Sequence, residues 1–158
     1  MYDDIISTYS VQFNVPEPWI RGVIQTESSF NPNAYRAEPQ INDASYGLMQ
    51  LLYKTAQGLG YVGDPNGLFD PDTNIMLGTK LLGQLRVKYG DDVNAIYSAY
   101  NSGSPTKYLT SSQVNTNVSH FIKNLESFIK SEPLVAASGG VGALIVLVLL
   151  WFWTKKGK

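Results

Sequence analysis

The stretch Trp19–Phe30, WIRGVIQTESSF, decides how the rest of the chain is interpreted. Its helical spacing of i, i+3, i+4 and i+7 places four residues on one face, namely Ile20, Val23, Ile24 and Glu27. Because the other three are apolar, the carboxyl group of Glu27 is expected to be partly desolvated. Desolvation raises the pKa of a carboxyl group and lets it hold a proton near neutral pH, as a general acid must. On this helix alone, rotation of Glu27 into solvent at the helix end is the simpler interpretation.

Length and composition limit the possible functions. The 158 residues are enough for one domain with a hydrophobic core. Residues 1–132 hold 9 Lys and Arg against 13 Asp and Glu, a formal net charge of −4, so no nucleic-acid partner is expected. The chain has no cysteine and one histidine, His120, which excludes disulfides, thiolate catalysis and a Cys/His zinc site. No metal or other cofactor is expected, and His120 is interpreted as a surface or core residue.

The C-terminal part of the chain differs sharply in composition. Residues 133–154 form a run of 22 positions without a charged side chain. Such a run is long enough to cross a hydrocarbon layer of about 30 Å as a helix. Aromatic residues at 151–153 suit a membrane interface, and lysines follow at once. We therefore predict a single C-terminal transmembrane helix in a lipid bilayer, with a buried helix of a soluble domain as the alternative.

Helical periodicity covers most of the preceding chain. Helices are predicted over 1–13, 19–30, 48–59, 74–89, 93–100 and 114–130. Residues 33–46 are polar and aperiodic and are predicted to form a loop, and no convincing strand or repeat is found. The predicted fold is therefore a compact all-α domain over residues 1–132, followed by a membrane anchor with a basic tail over residues 133–158.

Short polar segments beside glycines or turns carry the functional signal. Three of them occur in the order Glu27-Ser28, Gly47–Gln50 (GLMQ) and Ala99–Asn101 (AYN), with DPDTNIMLGTKLLGQLRVKYG between the last two. This arrangement resembles the soluble lytic transglycosylase domain family, which is related in fold to goose-type lysozyme. Each motif alone is weak, but three in order on one helical domain, spanning roughly residues 5–128, are a strong signal. The resemblance implies a lysozyme-like helical fold.

The resemblance also implies a reaction on peptidoglycan. Glu27 would be the sole catalytic acid and base, and would protonate the glycosidic oxygen between N-acetylmuramic acid and N-acetylglucosamine. It would then remove the proton from the muramic C6 hydroxyl, so that a 1,6-anhydro ring closes without consuming water. Ordinary glycosidases use two carboxylates. Most other acids of this chain lie in predicted turns and caps, which is consistent with a single catalytic acid.

Substrate-binding roles are implied for six further residues: Ser28, Gly47, Met49, Gln50, Tyr100 and Asn101. By resemblance, Ser28 would position the end of the Glu27 helix and Gly47 would let the backbone approach the sugar. Met49 would line the groove, and Gln50 would hydrogen-bond near the carboxyl group or the substrate. The Tyr100 hydroxyl would lie near Glu27, and Asn101 would hold a loop or a sugar. Without the family, GLMQ also fits a helix N-terminus with core side chains, and Tyr100-Asn101 fits a helix C-cap.

One position departs from the family's sequence pattern, and another bears on whether the reaction is a hydrolysis instead. Arg36 stands where the family often has a small serine, and it is predicted to face a lactyl or stem-peptide carboxylate. Goose-type lysozymes hydrolyse the bond instead, with acids that hold a water molecule, and Asp43 is the residue predicted for that role here. A hydrolysing lysozyme and a non-catalytic wall-binding membrane protein therefore remain alternatives.

The location of the protein follows from the predicted anchor. Lysines after the apolar segment favour the cytoplasmic side, which places residues 1–132 outside, facing the cell wall. A phage protein in a virion membrane, acting on peptidoglycan during entry or exit, is a further interpretation. Virion or membrane proteins would then be its partners, beside the glycan strands.

Overall fold

The computed structural model describes residues 1–131, and the predicted membrane segment lies outside the described residues. Six α-helices are present in this part of the chain: α1 Asp3–Phe13, α2 Glu17–Ser28, α3 Tyr53–Gly58, α4 Pro71–Tyr89, α5 Val93–Ser102 and α6 Ser112–Ser131. None of them is both long enough and apolar enough to cross a membrane. The predicted division at residue 132 stays a prediction.

Local sequence explains where the main helices begin. Pro18 lies in the first turn of α2, where a missing amide hydrogen costs nothing. Asp70 accepts a hydrogen bond from the backbone N–H of Thr73 at 2.9 Å and caps α4. Asp92 caps α5 in the same way, by accepting from two backbone N–H groups at 3.1 Å. These caps fix the ends of the helices that carry the site.

A small antiparallel sheet corrects the predicted all-α fold. Its strands are β1 Tyr35–Glu38, β2 Asp43–Tyr46 and β3 Leu51–Leu52, in that order across the sheet. The predicted loop over residues 33–46 is therefore wrong. Strands of four and two residues are too short to show a period in the sequence, and their stability comes from pairing with each other rather than from local propensity.

The predicted helix over residues 48–59 is also too long at its start. The chain makes a turn after Gly47, passes through β3, and becomes helical only at Tyr53. Gly47 and Gln50 both have left-handed backbone angles, with φ of 71° and 47°. A right-handed helix cannot contain such residues, so the GLMQ segment forms a turn.

The core is built around α2. Its apolar stripe of Ile20, Val23 and Ile24 is fully buried. The long helix α6 packs against both α2 and α5, and turns Phe121 and Leu125 inward. The helix that carries the predicted acid is thereby covered along its length, and only its C-terminal end opens on a cleft.

Candidate active site

Glu27 lies at the C-terminal end of α2, in a cleft between the helices and the small sheet. The empty volume of the cleft, including its open mouth, is about 640 Å³. Burial raises the pKa of Glu27 above its ordinary value of 4.5. Residues from four helices (α2, α3, α4 and α5), from the sheet and from the segments between its strands line the cleft: Glu27, Arg36, Glu38, Ile41, Ser45, Gln50, Leu51, Leu52, Thr55, Leu81, Tyr100 and Asn101.

Tyr97 holds the carboxyl group of Glu27. Its hydroxyl donates a hydrogen bond to Oε1 of Glu27 at 2.7 Å, which favours the ionised form and partly offsets the effect of burial on the pKa. The Tyr97 ring is almost fully buried and stacks on Phe121 of α6, with 4.4 Å between ring centroids. Sequence reasoning did not single out Tyr97. The available signal was that a buried tyrosine needs a partner for its hydroxyl.

Tyr100 lies one helical turn further along α5. Its hydroxyl donates to the backbone carbonyl of Met49 at 2.7 Å rather than to Glu27. Burial and, to a smaller extent, the negative charge of Glu27 raise the pKa of Tyr100, and both residues line the cleft. Tyr100 therefore lines the cleft, while the direct contact with the acid belongs to Tyr97.

Ser28 ties the acid's helix to the GLMQ turn. Its Oγ lies 2.7 Å from the carbonyl oxygen of Leu48 and 3.1 Å from that of Ile24. The hydroxyl thus bridges the end of α2 and the turn facing it. This geometry agrees with a positioning role, though not with direct contact between Ser28 and a substrate.

Asn74 of α4, which sequence reasoning did not place in the site, organises the GLMQ turn. It is fully buried, and its Oδ1 accepts from the backbone N–H of Met49 at 2.8 Å. Its Nδ2 donates to the carbonyls of Tyr46 and Leu68 at 2.9 and 2.8 Å. One amide side chain therefore satisfies three buried backbone groups, which would otherwise destabilise the fold.

Internal packing explains why Gly47 and Met49 occupy their positions, whereas the resemblance implied contacts with the substrate. A Cβ on Gly47 would lie 2.5 Å from Nδ2 of Asn74 and 2.5 Å from the carbonyl of Leu68, so internal packing alone requires glycine. The prediction that Met49 lines the groove is wrong, since its side chain is fully buried and fills the space left by Gly78 on α4. Only its backbone carbonyl contributes to the site, as the acceptor for Tyr100.

Gln50 and Asn101 lie on the cleft wall. Nε2 of Gln50 donates to the carbonyls of Ala34 and Gly47, both at 3.0 Å, which fixes the left-handed turn. Oδ1 of Asn101 accepts from Nδ2 of Asn117 on α6 at 3.2 Å. Both side chains are half-buried and in reach of a ligand in the cleft.

The sheet contributes an ion pair to the cleft, between Arg36 and Glu38, and sequence reasoning singled out only Arg36. Nε of Arg36 donates to Oε1 of Glu38 at 2.5 Å, and Gln40 donates to Oε2 of Glu38 at 2.9 Å. The positive charge of Arg36 lowers the pKa of Glu27, against the larger effect of burial. Arg36 and Glu38 alternate along β1 and face the cleft together.

Asp43 does not fill the role predicted for it. Its Oδ1 accepts from the backbone N–H groups of Ala44 and Tyr53, and its Oδ2 accepts from that of Lys54, at 2.8 to 3.2 Å. The carboxylate thus holds the start of α3, and Asp43 does not line the cleft. His120 is exposed on α6, in a separate recess. Within residues 1–131, no group of three His, Asp or Glu side chains is placed to hold a metal ion.

A mostly helical domain with a desolvated carboxyl group in an open cleft is the architecture of a lysozyme-like enzyme. The chain belongs to the transglycosylase SLT domain family, whose sequence model matches residues 4–121. The family and the mostly helical, lysozyme-like fold predicted from the motifs are thereby confirmed.

Individual relatives give a consistent picture. The chain is 32% identical to a transglycosylase of Enterobacteria phage PRD1, over 87% of this chain and 48% of that protein. It is 34% identical to membrane-bound lytic murein transglycosylase C of Shigella sonnei, over 65% of this chain and 31% of that protein. The 70 kDa soluble lytic transglycosylase of Escherichia coli matches with a TM-score of 0.58 and 26% identity, over 84% of this chain and 21% of that one. The chain thus spans half or less of each relative.

Proposed function

We propose that this chain is a murein lytic transglycosylase that cleaves the β-1,4 bond between N-acetylmuramic acid and N-acetylglucosamine. The observation that carries the proposal is the environment of Glu27. Burial raises the pKa of its carboxyl group, which favours the protonated form that a general acid needs, and the group opens on a cleft. The names of the relatives, a phage transglycosylase and a membrane-bound lytic murein transglycosylase, support the same activity.

In the first step, Glu27 donates its proton to the glycosidic oxygen as the bond to C1 breaks. Tyr97 occupies Oε1, and Oε2 makes no hydrogen bond with any described residue, so Oε2 is left to carry the proton. The leaving N-acetylglucosamine gains a hydroxyl group. Positive charge that develops at C1 faces a carboxyl group that has just become a carboxylate, which stabilises the transition state.

In the second step, the Glu27 carboxylate accepts the proton of the muramic C6 hydroxyl. The C6 oxygen bonds to C1, the 1,6-anhydro ring closes, and Glu27 regains its starting proton. No water is consumed and no second acid is required. This agrees with the engagement of Asp43 in holding α3, away from the cleft.

Mass spectrometry of the products released from purified peptidoglycan tests this proposal. The full chain is compared with a Glu27→Gln variant, which keeps an acceptor for Tyr97. We expect muropeptides ending in 1,6-anhydromuramic acid from the wild-type chain only. Products heavier by one water would indicate a hydrolysing lysozyme, with Glu38 as the second carboxylate to study. Equal biological function of the two chains without product release would favour a wall-binding protein.

We also propose that residues 133–154 anchor the chain in a bilayer and that residues 1–132 form the catalytic domain facing the wall. The uncharged run of 22 residues supports the anchor, and the relative named membrane-bound is in agreement with it. The relative from a phage is compatible with a phage origin of this chain. Flotation with lipid vesicles tests the anchor: the full chain should float in high salt, and a Leu147→Lys variant should float less.

A further inference from the structure

Arg36 is held at the cleft by Glu38 and is still open to solvent. Its side chain is 64% exposed, whereas that of Glu38 is 14% exposed. Glu38 is fixed from three directions, since its Oε1 accepts from Arg36 Nε at 2.5 Å and from Ser45 Oγ at 3.4 Å, and its Oε2 accepts from Gln40 at 2.9 Å. The strand and its neighbour therefore build a fixed support under an accessible guanidinium group.

One edge of that guanidinium group remains open. Arg36 lines the cleft, and only its Nε donates a hydrogen bond among the described residues. The donors on Nη1 and Nη2 therefore have no partner in this part of the chain. Paired guanidinium donors match the two oxygens of a carboxylate and bind it through two parallel hydrogen bonds. Glu27 does not serve as that carboxylate, since no ion pair joins it to Arg36.

The positive charge of Arg36 lowers the pKa of Glu27, which is unfavourable for a residue that must donate a proton. A cation near Glu27 favours loss of the proton that the proposed reaction requires. A ligand carboxylate bound to Arg36 would neutralise this charge and allow Glu27 to keep its proton. The charge of Arg36 would then lower the pKa of Glu27 only in the enzyme without substrate.

We propose that the open edge of Arg36 binds a carboxylate of the glycan strand beside the bond that Glu27 cleaves. The inference rests on the proposed function, since it takes the strand as the ligand. Two sources share this chemistry. One is a carboxylate of the peptide attached to muramic acid, and the other is the lactyl carboxylate that becomes free when the peptide is removed.

Binding measurements without turnover separate these sources. The full chain carrying Glu27→Gln, kept in mild detergent, is titrated with soluble glycan strands that carry peptides. It is also titrated with strands stripped of peptides by an amidase, and with neutral N-acetylglucosamine oligomers. Each titration is repeated with Arg36→Gln added, and with Lys123→Gln added as the matched control. Lys123 is an exposed cation in the recess with His120, away from the cleft.

We expect Arg36→Gln to weaken binding of at least one carboxylated strand about tenfold, the effect of losing one charge-assisted pair. Binding of the neutral oligomers and all binding by the Lys123 control should stay unchanged. Weakening confined to peptide-bearing strands assigns the peptide carboxylate, and weakening confined to stripped strands assigns the lactyl group. Equal weakening for the neutral oligomers, or none for either carboxylated strand, overturns the inference.

Different experimental results would contradict the carboxylate site at Arg36 and the proposed transglycosylase activity. Release of 1,6-anhydro products by the wild-type chain, with unchanged binding in the Arg36 variant, would overturn only the carboxylate site. Absence of binding to any strand would overturn both.

Discussion

The hydroxyl of Tyr97 and the carboxyl group of Glu27 meet across 2.7 Å, although 70 positions separate them in the chain. The bond joins α2 to α5 at the base of the cleft, and Phe121 of α6 stacks on the tyrosine from the other side. Burial raises the pKa of the acid while the tyrosine lowers it, so the proton affinity of Glu27 is set by a balance between two opposing effects.

Tyr97→Phe should shift this balance. Without the hydrogen bond to the ionised form, the pKa of Glu27 rises further, so the acid stays protonated to higher pH. The alkaline limb of the pH–rate profile for product release should therefore move to higher pH. The rate at the optimum should fall roughly tenfold, because the carboxyl group loses its orientation.

Tyr100→Phe is the matched control for this variant. It removes a hydroxyl from the same face of α5 but leaves the bond between Tyr97 and Glu27 intact. Its alkaline limb should stay close to that of the wild-type chain. An equal displacement of the limb in both variants would contradict the role assigned to Tyr97.

Glu27→Gln should stabilise the protein while it removes activity. In the unfolded chain Glu27 loses its proton at the ordinary carboxyl pKa, but in the folded chain it keeps the proton to higher pH. The folded state then binds more protons, so the stability of the wild-type chain falls as pH rises through this window. The amide does not titrate, and at pH 7 the variant should be about 1 kcal/mol more stable.

Thermal unfolding at several pH values checks the stability of the Glu27 variant. The difference in unfolding free energy between the two chains should shrink towards about pH 4, where the carboxyl group is protonated in both states. A difference that does not depend on pH would indicate that burial of the acid is not its cause.

Gly47→Ala should disrupt the GLMQ turn. The position combines a φ of 71° with a Cβ that would approach Asn74 and Leu68 to 2.5 Å. Gly60 offers a matched control, since its φ is 97° but nothing lies within 4 Å of its Cβ position. Gly60→Ala should cost about 1 kcal/mol for the backbone alone, and Gly47→Ala about 3 kcal/mol or more, because overpacking is added. Urea unfolding of both variants measures the difference, and equal costs would refute the packing explanation.

Asn74→Ala should destabilise the chain by about 3 kcal/mol, because it leaves three buried backbone groups without partners. Asn94 of α5 is half-buried and makes no side-chain hydrogen bond with a described residue, so Asn94→Ala should change the unfolding free energy by less than about 0.5 kcal/mol. Denaturant unfolding followed by circular dichroism compares the two. A loss below about 1 kcal/mol for the Asn74 variant would show that water replaces the lost partners.

Sequence periodicity was sufficient for the long helices, because α2 and α6 bury one continuous stripe each, and a stripe is visible in a single segment. The small sheet was missed because its strands gain stability from each other, and no local pattern of four residues reveals that. For the same reason the role of Asn74 was not predicted, because its partners lie up to 28 positions away.

In the candidate site, too, features that depend on neighbouring residues in the sequence were predicted, and contacts between distant segments were not. Glu27 stood out because an acid at the end of an apolar stripe is a local anomaly. The identity of its hydrogen-bonding tyrosine was not local, since Tyr97 and Tyr100 both lie on the same helix and only tertiary packing decides which one reaches the acid. The pair Arg36 and Glu38 was placed in the cleft by the register of β1, which the sequence did not predict.

The stacking of Phe121 on Tyr97 has a consequence for the time at which the protein becomes active. During translation the segment with Glu27 leaves the ribosome long before α6, which follows it by more than 80 positions. Until α6 docks, one side of α2 stays uncovered, so the burial that raises the pKa of Glu27 is incomplete. A nascent chain therefore already carries Glu27, but it lacks part of the environment that raises the pKa of this residue in the folded protein.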